Sequence, residues 1–387
     1  MHNYRQEFSD FSPTVYLDCA YQGPFPLATR ERLYQAIELK AHPDRLESPE
    51  YFRLPERVRA RIARLVGADP SEIALTTSAT QGVGIVAGGL GLGAGDEVVV
   101  ASSNFPSNLF TWLHLRRKGV IVKVLSSVHG EVELEQVAAA LSARTRVLAL
   151  DWVNYTGGYR IDLPRLGELV HARGGIFVVD GTQGVGAQEL DLNALPVDVL
   201  ACAAYKWLLG PYGTGFAYVQ RELLGKLDLP VINWYSVEGA EDFDSLPREQ
   251  FRLIHDARVF DSGETGNFIN LHGLDASLEF LEGVTPRVAY AHCRRLLERL
   301  AEGLRAQGCT LSGASRPGHE STILGFQASP PEATAELHRK LRAHHIAVSL
   351  RQGVIRVSPY LYNDEADIDR LLEVVARPGE GTSLLSS

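Results

Sequence analysis

Between about residues 70 and 220, short β-branched runs alternate with segments of helical spacing, and that alternation commits the chain to a mainly parallel sheet covered by helices. The expected strands lie at 72–76, 97–102, 120–125, 147–152, 175–180, 198–201 and 215–219. Helical spacing occupies 81–89, 106–118, 134–143 and 164–173 between them. In an open α/β sheet, ligands meet the chain beyond the carboxyl ends of the strands. Residues that follow each run are therefore the functional candidates.

After residue 220 the texture changes, beginning with an acidic, polar excursion at 238–250. From about residue 285 the pattern becomes a long helix at 288–307, strands at 310–312, 321–327 and 354–357, and helices at 333–344 and 364–376. The expected fold is α/β: a large domain with a mainly parallel seven-stranded sheet flanked by helices, plus a smaller α+β C-terminal domain. Its divisions are an N-terminal segment at 1–25 near the active site, a large domain at 26–280, a small one at 281–377, and a Gly- and Ser-rich frayed tail at 378–387.

A formal net charge of −9, with basic residues scattered through the helices, argues against a surface that grips nucleic acid. The opening residues lack a signal peptide's apolar core, and no stretch approaches the roughly 18 consecutive apolar residues of a membrane span. No membrane association is expected, and a cytoplasmic location is the default. The four cysteines, Cys19, Cys202, Cys293 and Cys309, show no C-x-x-C spacing and read as reduced core or near-core residues.

Two residues carry the strongest chemical suggestion. Asp180 closes the apolar run at 175–180, and Lys206 follows the next run, bounded by Ala203, Ala204 and Trp207. Apolar surroundings disfavour the ammonium form and make such a lysine a nucleophile, so the pair reads as a Schiff-base lysine opposite a pyridinium partner. Taken singly, Asp180-Gly181 is also a turn dipeptide and Lys206 a solvated loop residue. A third element, Thr76-Thr77-Ser78-Ala79-Thr80-Gln81, follows a strand and opens a helix, which suits a phosphate, although N-capping by Ser78 or Thr80 looks identical in sequence. Gly89-Leu90-Gly91-Leu92-Gly93-Ala94 fits the dinucleotide fingerprint but precedes a strand, the reverse of the order that fingerprint needs. No metal-ligand spacing and no G-x-S-x-G elbow are present.

Five segments in order resemble the class V aminotransferase family of fold-type I pyridoxal phosphate enzymes. They are Thr77-Ser78-Ala79-Thr80, Asn154-x-x-Gly157, Asp180-Gly181-Thr182-Gln183, Tyr205-Lys206 with Gly210-Pro211-x-Gly213-x-Gly215, and Arg356-Val357-Ser358-x-x-x-Tyr362-Asn363. The resemblance begins at Tyr16-Leu17-Asp18-x-Ala20 and runs to about residue 370. It implies pyridoxal 5′-phosphate as cofactor, a small amino-acid substrate and a homodimer with active sites at the interface. Lys206 would form the Schiff base and shuttle protons, and Asp180 would pair with the pyridine nitrogen. Gln183 would donate to the cofactor's phenolic oxygen, while Ser78, Ala79 and Thr80 would form the phosphate cup. Asn154 would meet the phenolic oxygen or the substrate carboxylate, and Arg356 would bind that carboxylate through its planar fork. Thr265, in Gly263-Glu264-Thr265-Gly266-Asn267, would supply a phosphate contact to the partner subunit.

Departures from the cysteine desulfurase pattern narrow the chemistry. Ser103-Asn104-Phe105-Pro106-Ser107 stands where a stacking histidine is expected, so Phe105 becomes the ring-stacking residue, as in kynureninases. Ala203-Ala204-Tyr205-Lys206 replaces the desulfurase S-x-H-K, leaving the Tyr205 phenol to serve the phosphate. A desulfurase carries sulfur on a cysteine upstream of its carboxylate-binding arginine, and none lies between His319 and Arg356. An aminotransferase, or a lyase without a persulfide cysteine, is the favoured reading. Epimerisation and kynureninase-like cleavage remain open on the same scaffold, as does a non-catalytic binding or regulatory protein, against which intact Lys206, Asp180 and Arg356 count. Tyr21, Gln22, Trp234 and Tyr235 are candidate pocket liners, equally explicable as packing and turn residues.

Overall fold

The computed structural model describes residues 4–47, 49–127, 130–228, 232–242, 244, 249–263, 267–312 and 317–376. After a short strand β1 (Val15–Tyr16) come helices α1 (Leu27–Ala41) and α2 (Glu50–Val66). The central part is β2 (Ile73–Thr76), α3 (Ala79–Gly89), β3 (Glu97–Ala101), α4 (Pro106–Leu113), β4 (Ile121–Leu125), α5 (Leu134–Ala140), β5 (Thr145–Asp151), α6 (Leu163–His171), β6 (Ile176–Asp180), β7 (Val199–Ala203), β8 (Gly215–Val219) and α7 (Arg221–Leu224). Helices α8 (Phe268–Val284) and α9 (Pro286–Ala306) lead to β9 (Thr310–Ser312), β10 (Leu324–Gln327), α10 (Thr334–Ala343), β11 (Ile346–Ala347), β12 (Ser349–Arg351), β13 (Val354–Val357) and α11 (Glu365–Ala376).

All seven expected strands enter one sheet in the order β2-β8-β7-β6-β5-β3-β4. Only β8 runs against its neighbours. Strands β2, β3, β6, β7 and β8 are apolar along almost their whole length because helices cover both faces, and the faces separate by the two-residue period. Val99, Leu148, Leu150, Phe177 and Val179 point into one core. Val98, Val100, Ala149, Val178, Ala201 and Ala217 point into the other, beneath α3. Small residues on that second face bring α3 down onto the sheet, where a Cβ at Gly82 would stand 2.7 Å from the Ala201 methyl.

Boundary differences have local causes. The helix expected at 106–118 is α-helical only to Leu113 and continues as a 3-10 helix over His114–Lys118, because three consecutive basic residues and Gly119, at φ 82°, close it. The long helix begins at Pro286, two residues earlier than its spacing predicts, since the Thr285 side chain accepts from the Val288 N–H as an N-cap.

The smaller sheet is antiparallel, in the order β12-β13-β10-β9. Its core joins Phe326, Ile355 and Val357 to Leu296 and Leu300 of α9 and Ile368 and Leu371 of α11. The N-terminal segment completes it. β1 pairs in parallel with β11, and Val15 and Leu17 are buried in that core, more than 300 residues away along the chain.

Candidate active site

The chemistry-bearing groups gather on the α3 face, at the carboxyl ends of adjacent parallel strands. The register pairs Asp151, which ends β5, with Asp180, which ends β6, and pairs Asp180 with Ala201 of β7. Counting by twos from the buried Val178 and Ala149 puts both carboxylates on the same face. Asp180 accepts the Thr182 N–H at 2.9 Å. Asp151 accepts the Phe105 N–H at 2.6 Å and the Asn108 amide at 3.0 Å. Burial pushes the pKa of both acids up, and Asp180's charge raises that of Asp151 further.

Lys206 lies just beyond β7 with 6% of its surface exposed. Among the described residues its ammonium makes no hydrogen bond or ion pair, and its Nζ stands 5.2 Å from the Phe105 ring centroid and 5.6 Å from that of Tyr205. Burial first, then the charge of Arg356, lower its pKa to about 8 against the opposing pull of Asp180 and Asp151. The loop that holds it is locked from two sides. Trp207 Nε1–H donates to Gln183 Oε1 at 2.9 Å, and the Gly23 N–H donates to the Tyr205 carbonyl at 3.0 Å. The second contact needs glycine, because a Cβ at position 23 would run into the Lys206 carbonyl.

Phosphate-type contacts come from the start of α3. Ser78 spends its hydroxyl on the Gln81 N–H at 3.2 Å, as an N-cap, and the first turn at Ala79 and Thr80 opens onto the same cavity as Lys206 and Asp180. Free N–H groups there, at the positive end of the helix dipole, suit an anion. The cavity has about 470 Å³ of empty space, its mouth included, and Phe105, Thr182, Gln183 and Tyr205 also face it. A buried lysine with an unpartnered ammonium, a carboxylate at a strand end and a helix N-terminus on one cavity fit pyridoxal phosphate. Such groups would supply a nucleophile for its aldehyde, a partner for its ring nitrogen and a cradle for its phosphate.

Other residues singled out in sequence fall in varied places. Gln183 has its carbonyl held by Trp207 and one N–H given to the Ala20 carbonyl at 3.0 Å, leaving its second N–H for the cavity. Phe105 packs edge-on against Tyr155 at 5.3 Å, and Tyr205 stacks on Tyr212 at 4.4 Å. Tyr21 and Arg356 line an adjoining outer cavity that shares Phe105, Tyr205 and Lys206. Asn154 does not line either space: its carbonyl accepts the Thr156 and Gly157 N–H groups and its amide donates to the Ser103 carbonyl, so it builds the turn after β5. Gln22 is exposed and accepts the Tyr212 hydroxyl at 3.2 Å, outside both walls. Trp234 and Tyr235 pack on Phe52, and neither lines the cavities that hold Lys206; Tyr235 and Phe52 line a different one. Thr265 lies outside the described residues.

Three site residues escape sequence reading: Asp151, Tyr155 and Arg351. Asp151 falls one residue short of the end of the strand expected at 147–152, and Asp-Trp in an apolar context reads as a strand continuing, whereas the structure ends β5 at Asp151. Tyr155 and Arg351 are brought in only by folding.

A sheet of this topology, with an unpaired buried lysine facing a strand-end carboxylate, defines a fold-type I pyridoxal phosphate enzyme. The description "Aminotransferase class-V" matches residues 48–371, and the chain belongs to that family, whose cofactor is pyridoxal phosphate. It is 27% identical over 385 residues to a probable cysteine desulfurase of Methanothermobacter thermautotrophicus, covering 93% of this chain and 94% of the relative. It is 29% identical over 378 residues to an isopenicillin N epimerase of Streptomyces clavuligerus, covering 94% of each. A solved structure of a C-DES mutant with glycine covalently linked to the PLP cofactor superposes with a TM-score of 0.87 at 21% identity, covering 96% of this chain and 99% of that one. That likeness supports the fold.

Proposed function

We propose that the protein acts on the α-amino group of a small amino acid, as an aminotransferase or as a lyase that expels a β-substituent without a persulfide cysteine. One observation carries the choice against persulfide chemistry. The chain just upstream of Arg356 is a tight hairpin in which only Gln352 and Gly353, at φ 49° and 78°, separate β12 from β13. Both positive angles suit the two-residue turn that such hairpins favour, which leaves no loop to carry a thiol. Cys19, Cys202 and Cys293 are buried, and burial raises the pKa of each thiol. Cys309 is partly exposed, ahead of β9 at the far edge of the small sheet.

Bound pyridoxal phosphate supplies an electron sink that labilises bonds at the substrate's α-carbon. Lys206, with its lowered pKa, is neutral often enough near pH 8 to attack a carbonyl and to carry a proton at Nζ. Asp180 would hold the proton on the ring nitrogen, and the first turn of α3 would receive the phosphate. Phe105 would cover one ring face, while Gln183's free N–H and the Tyr205 hydroxyl would address the cofactor's oxygens. Arg356 receives the substrate carboxylate through donors it does not spend on protein. A homodimer belongs to this reading, as the resemblance of 263–267 to the family's interface loop suggests.

An L-amino-acid panel, with and without a 2-oxo acid, tests it. Stoichiometric 2-oxo acid exchange identifies an aminotransferase. Ammonia and a 2-oxo acid released without an acceptor identify a lyase. Sulfide release lost when one of the four cysteines is replaced would overturn the thiol-free reading. Epimerisation is a second reading, favoured by the similarity to the Streptomyces clavuligerus protein, and loss of optical rotation without product release would identify it.

A further inference from the structure

The outer cavity, with about 700 Å³ of empty space, has an unusual charge balance: Lys206, Arg351 and Arg356 line it, and no carboxylate does. Lys206 is offset from beneath by Asp180 and Asp151. Arg356 is offset from behind, because its Nη2 donates to Asp18 Oδ1 at 2.8 Å and to the Ser349 hydroxyl at 3.3 Å, and its Nη1 to the Tyr155 carbonyl at 2.7 Å. Arg351 has no such partner. Among the described residues its guanidinium makes no hydrogen bond and no ion pair, and it sits over the Tyr21 ring with 5.9 Å between its central carbon and the ring centroid.

The hairpin places the two arginines on one face. Ser349 lies opposite Arg356 and Arg351 opposite Val354, so Arg351 and Arg356 share one face as diagonal neighbours. Diagonal neighbours are roughly 7–8 Å apart, their Cβ atoms somewhat closer, and both side chains line the one cavity, so a ligand with an acid at each end can meet both. Tyr21 covers one face of the Arg351 guanidinium and leaves its N–H edge for a ligand. Like charge on a shared face is unfavourable until an anion offsets it, and Arg351 pulls the pKa of Arg356 down, second to burial among the lowering causes.

We infer that Arg351 forms a second anion-binding position in the substrate cavity, so that the amino-acid substrate carries a second acidic group at the end of its side chain. This rests on the reading that Arg356 takes the α-carboxylate. An amino acid whose side chain carries no acid would leave Arg351 without a counter-charge.

Calorimetric titration of the cofactor-loaded protein with matched pairs tests the inference: succinate against butyrate, glutarate against valerate, adipate against hexanoate. One dicarboxylate should bind about tenfold or more tightly than the monocarboxylate of its length, from charge-assisted hydrogen bonds to the second guanidinium. Arg351→Gln should abolish that advantage and leave monocarboxylate affinity within about twofold, whereas Arg351→Lys should retain part of it. Equal affinities within every pair in the native protein, or an advantage that survives Arg351→Gln, overturn the inference. If hexanoate binds Arg356→Gln as well as the native protein while Arg351→Gln still removes the dicarboxylate advantage, the second site stands and only the Arg356 reading fails.

Discussion

Asp18 and Arg356 form a buried ion pair across 338 residues of chain, with 2.8 Å between Asp18 Oδ1 and Arg356 Nη2. The pair ties the segment after β1 to the middle of β13, and the Ser349 hydroxyl closes it by donating to Asp18 Oδ2. Three of Arg356's five N–H donors are spent on protein, and its Nε is buried without a hydrogen-bond partner. An arginine held by a carboxylate from behind presents a fixed edge forward, which is the arrangement a carboxylate-binding site needs.

Asp18→Ala should therefore cost stability and substrate binding together. Removing one partner of a buried pair leaves an uncompensated charge, worth about 3–5 kcal/mol. Urea denaturation should show a loss of that order, and KM for the amino-acid substrate should rise more than kcat falls. Asp18→Asn, which retains an acceptor for Arg356, should lose less of both. A stable Asp18→Ala variant with unchanged KM would mean that Arg356 is not held in place by this pair.

Lys206 should titrate well below other lysines. Its pKa is lowered from 10.5 to about 8, so the reactive neutral amine accumulates as pH rises through 8 and saturates above 9 or so. Labelling of the cofactor-free protein with an amine-selective reagent, read by peptide mass spectrometry, should follow that profile at Lys206, while exposed lysines keep gaining reactivity toward their ordinary pKa near 10.4. In the loaded protein, borohydride reduction should fix the cofactor on the peptide that carries Lys206, and Lys206→Ala should lose that covalent adduct and shift the cofactor's absorbance band.

The Asp151–Asp180 pair should make the cofactor-free protein lose stability as pH rises. Each acid has its folded-state pKa raised above the unfolded value of 3.8, and that of Asp151 reaches about 8. The folded state thus holds more protons than the unfolded chain between those limits. Its contribution is complete below about pH 4 and is lost as pH rises toward 8. Urea midpoints from pH 5 to 8 should fall less steeply in Asp151→Asn than in the native protein. Parallel slopes would show that Asp151 is already ionised at pH 5.

Gly23→Ala should disturb the lysine loop from outside the cavity. The added methyl meets the Lys206 carbonyl, and overpacking of this kind costs about 1–3 kcal/mol. A lowered urea midpoint with a shifted cofactor absorbance is the expected signature. An unchanged band would mean that the N-terminal segment, not the lysine loop, moves aside.

Much of the central fold was legible in sequence because strands buried on both faces are nearly continuous apolar runs. Strand β8 was located to the residue, and the other six central strands within two residues at either end. Helices α1, α2 and α8 were not read. α1 buries only Thr29 and Ala36 and so shows little apolar period, and α8 is buried nearly all round, whereas α2 does carry helical spacing in Leu54, Val58, Ile62 and Val66 and was missed despite it. Strands β1, β11 and β12, with two or three residues each, carry too short a period to stand out.

By itself the sequence determined the alternating sheet, the order of the motifs and the positions of Asp180 and Lys206, because strand period and strand-end chemistry are written locally. Only the tertiary structure decided what surrounds them. Register set Asp151 beside Asp180, chain crossing carried Asp18 behind Arg356, and a two-residue turn placed Arg351 on the same face as Arg356. Each is a contact between segments far apart in the chain or a phase along a ladder, and burial and charge act through those distances, not through sequence neighbours.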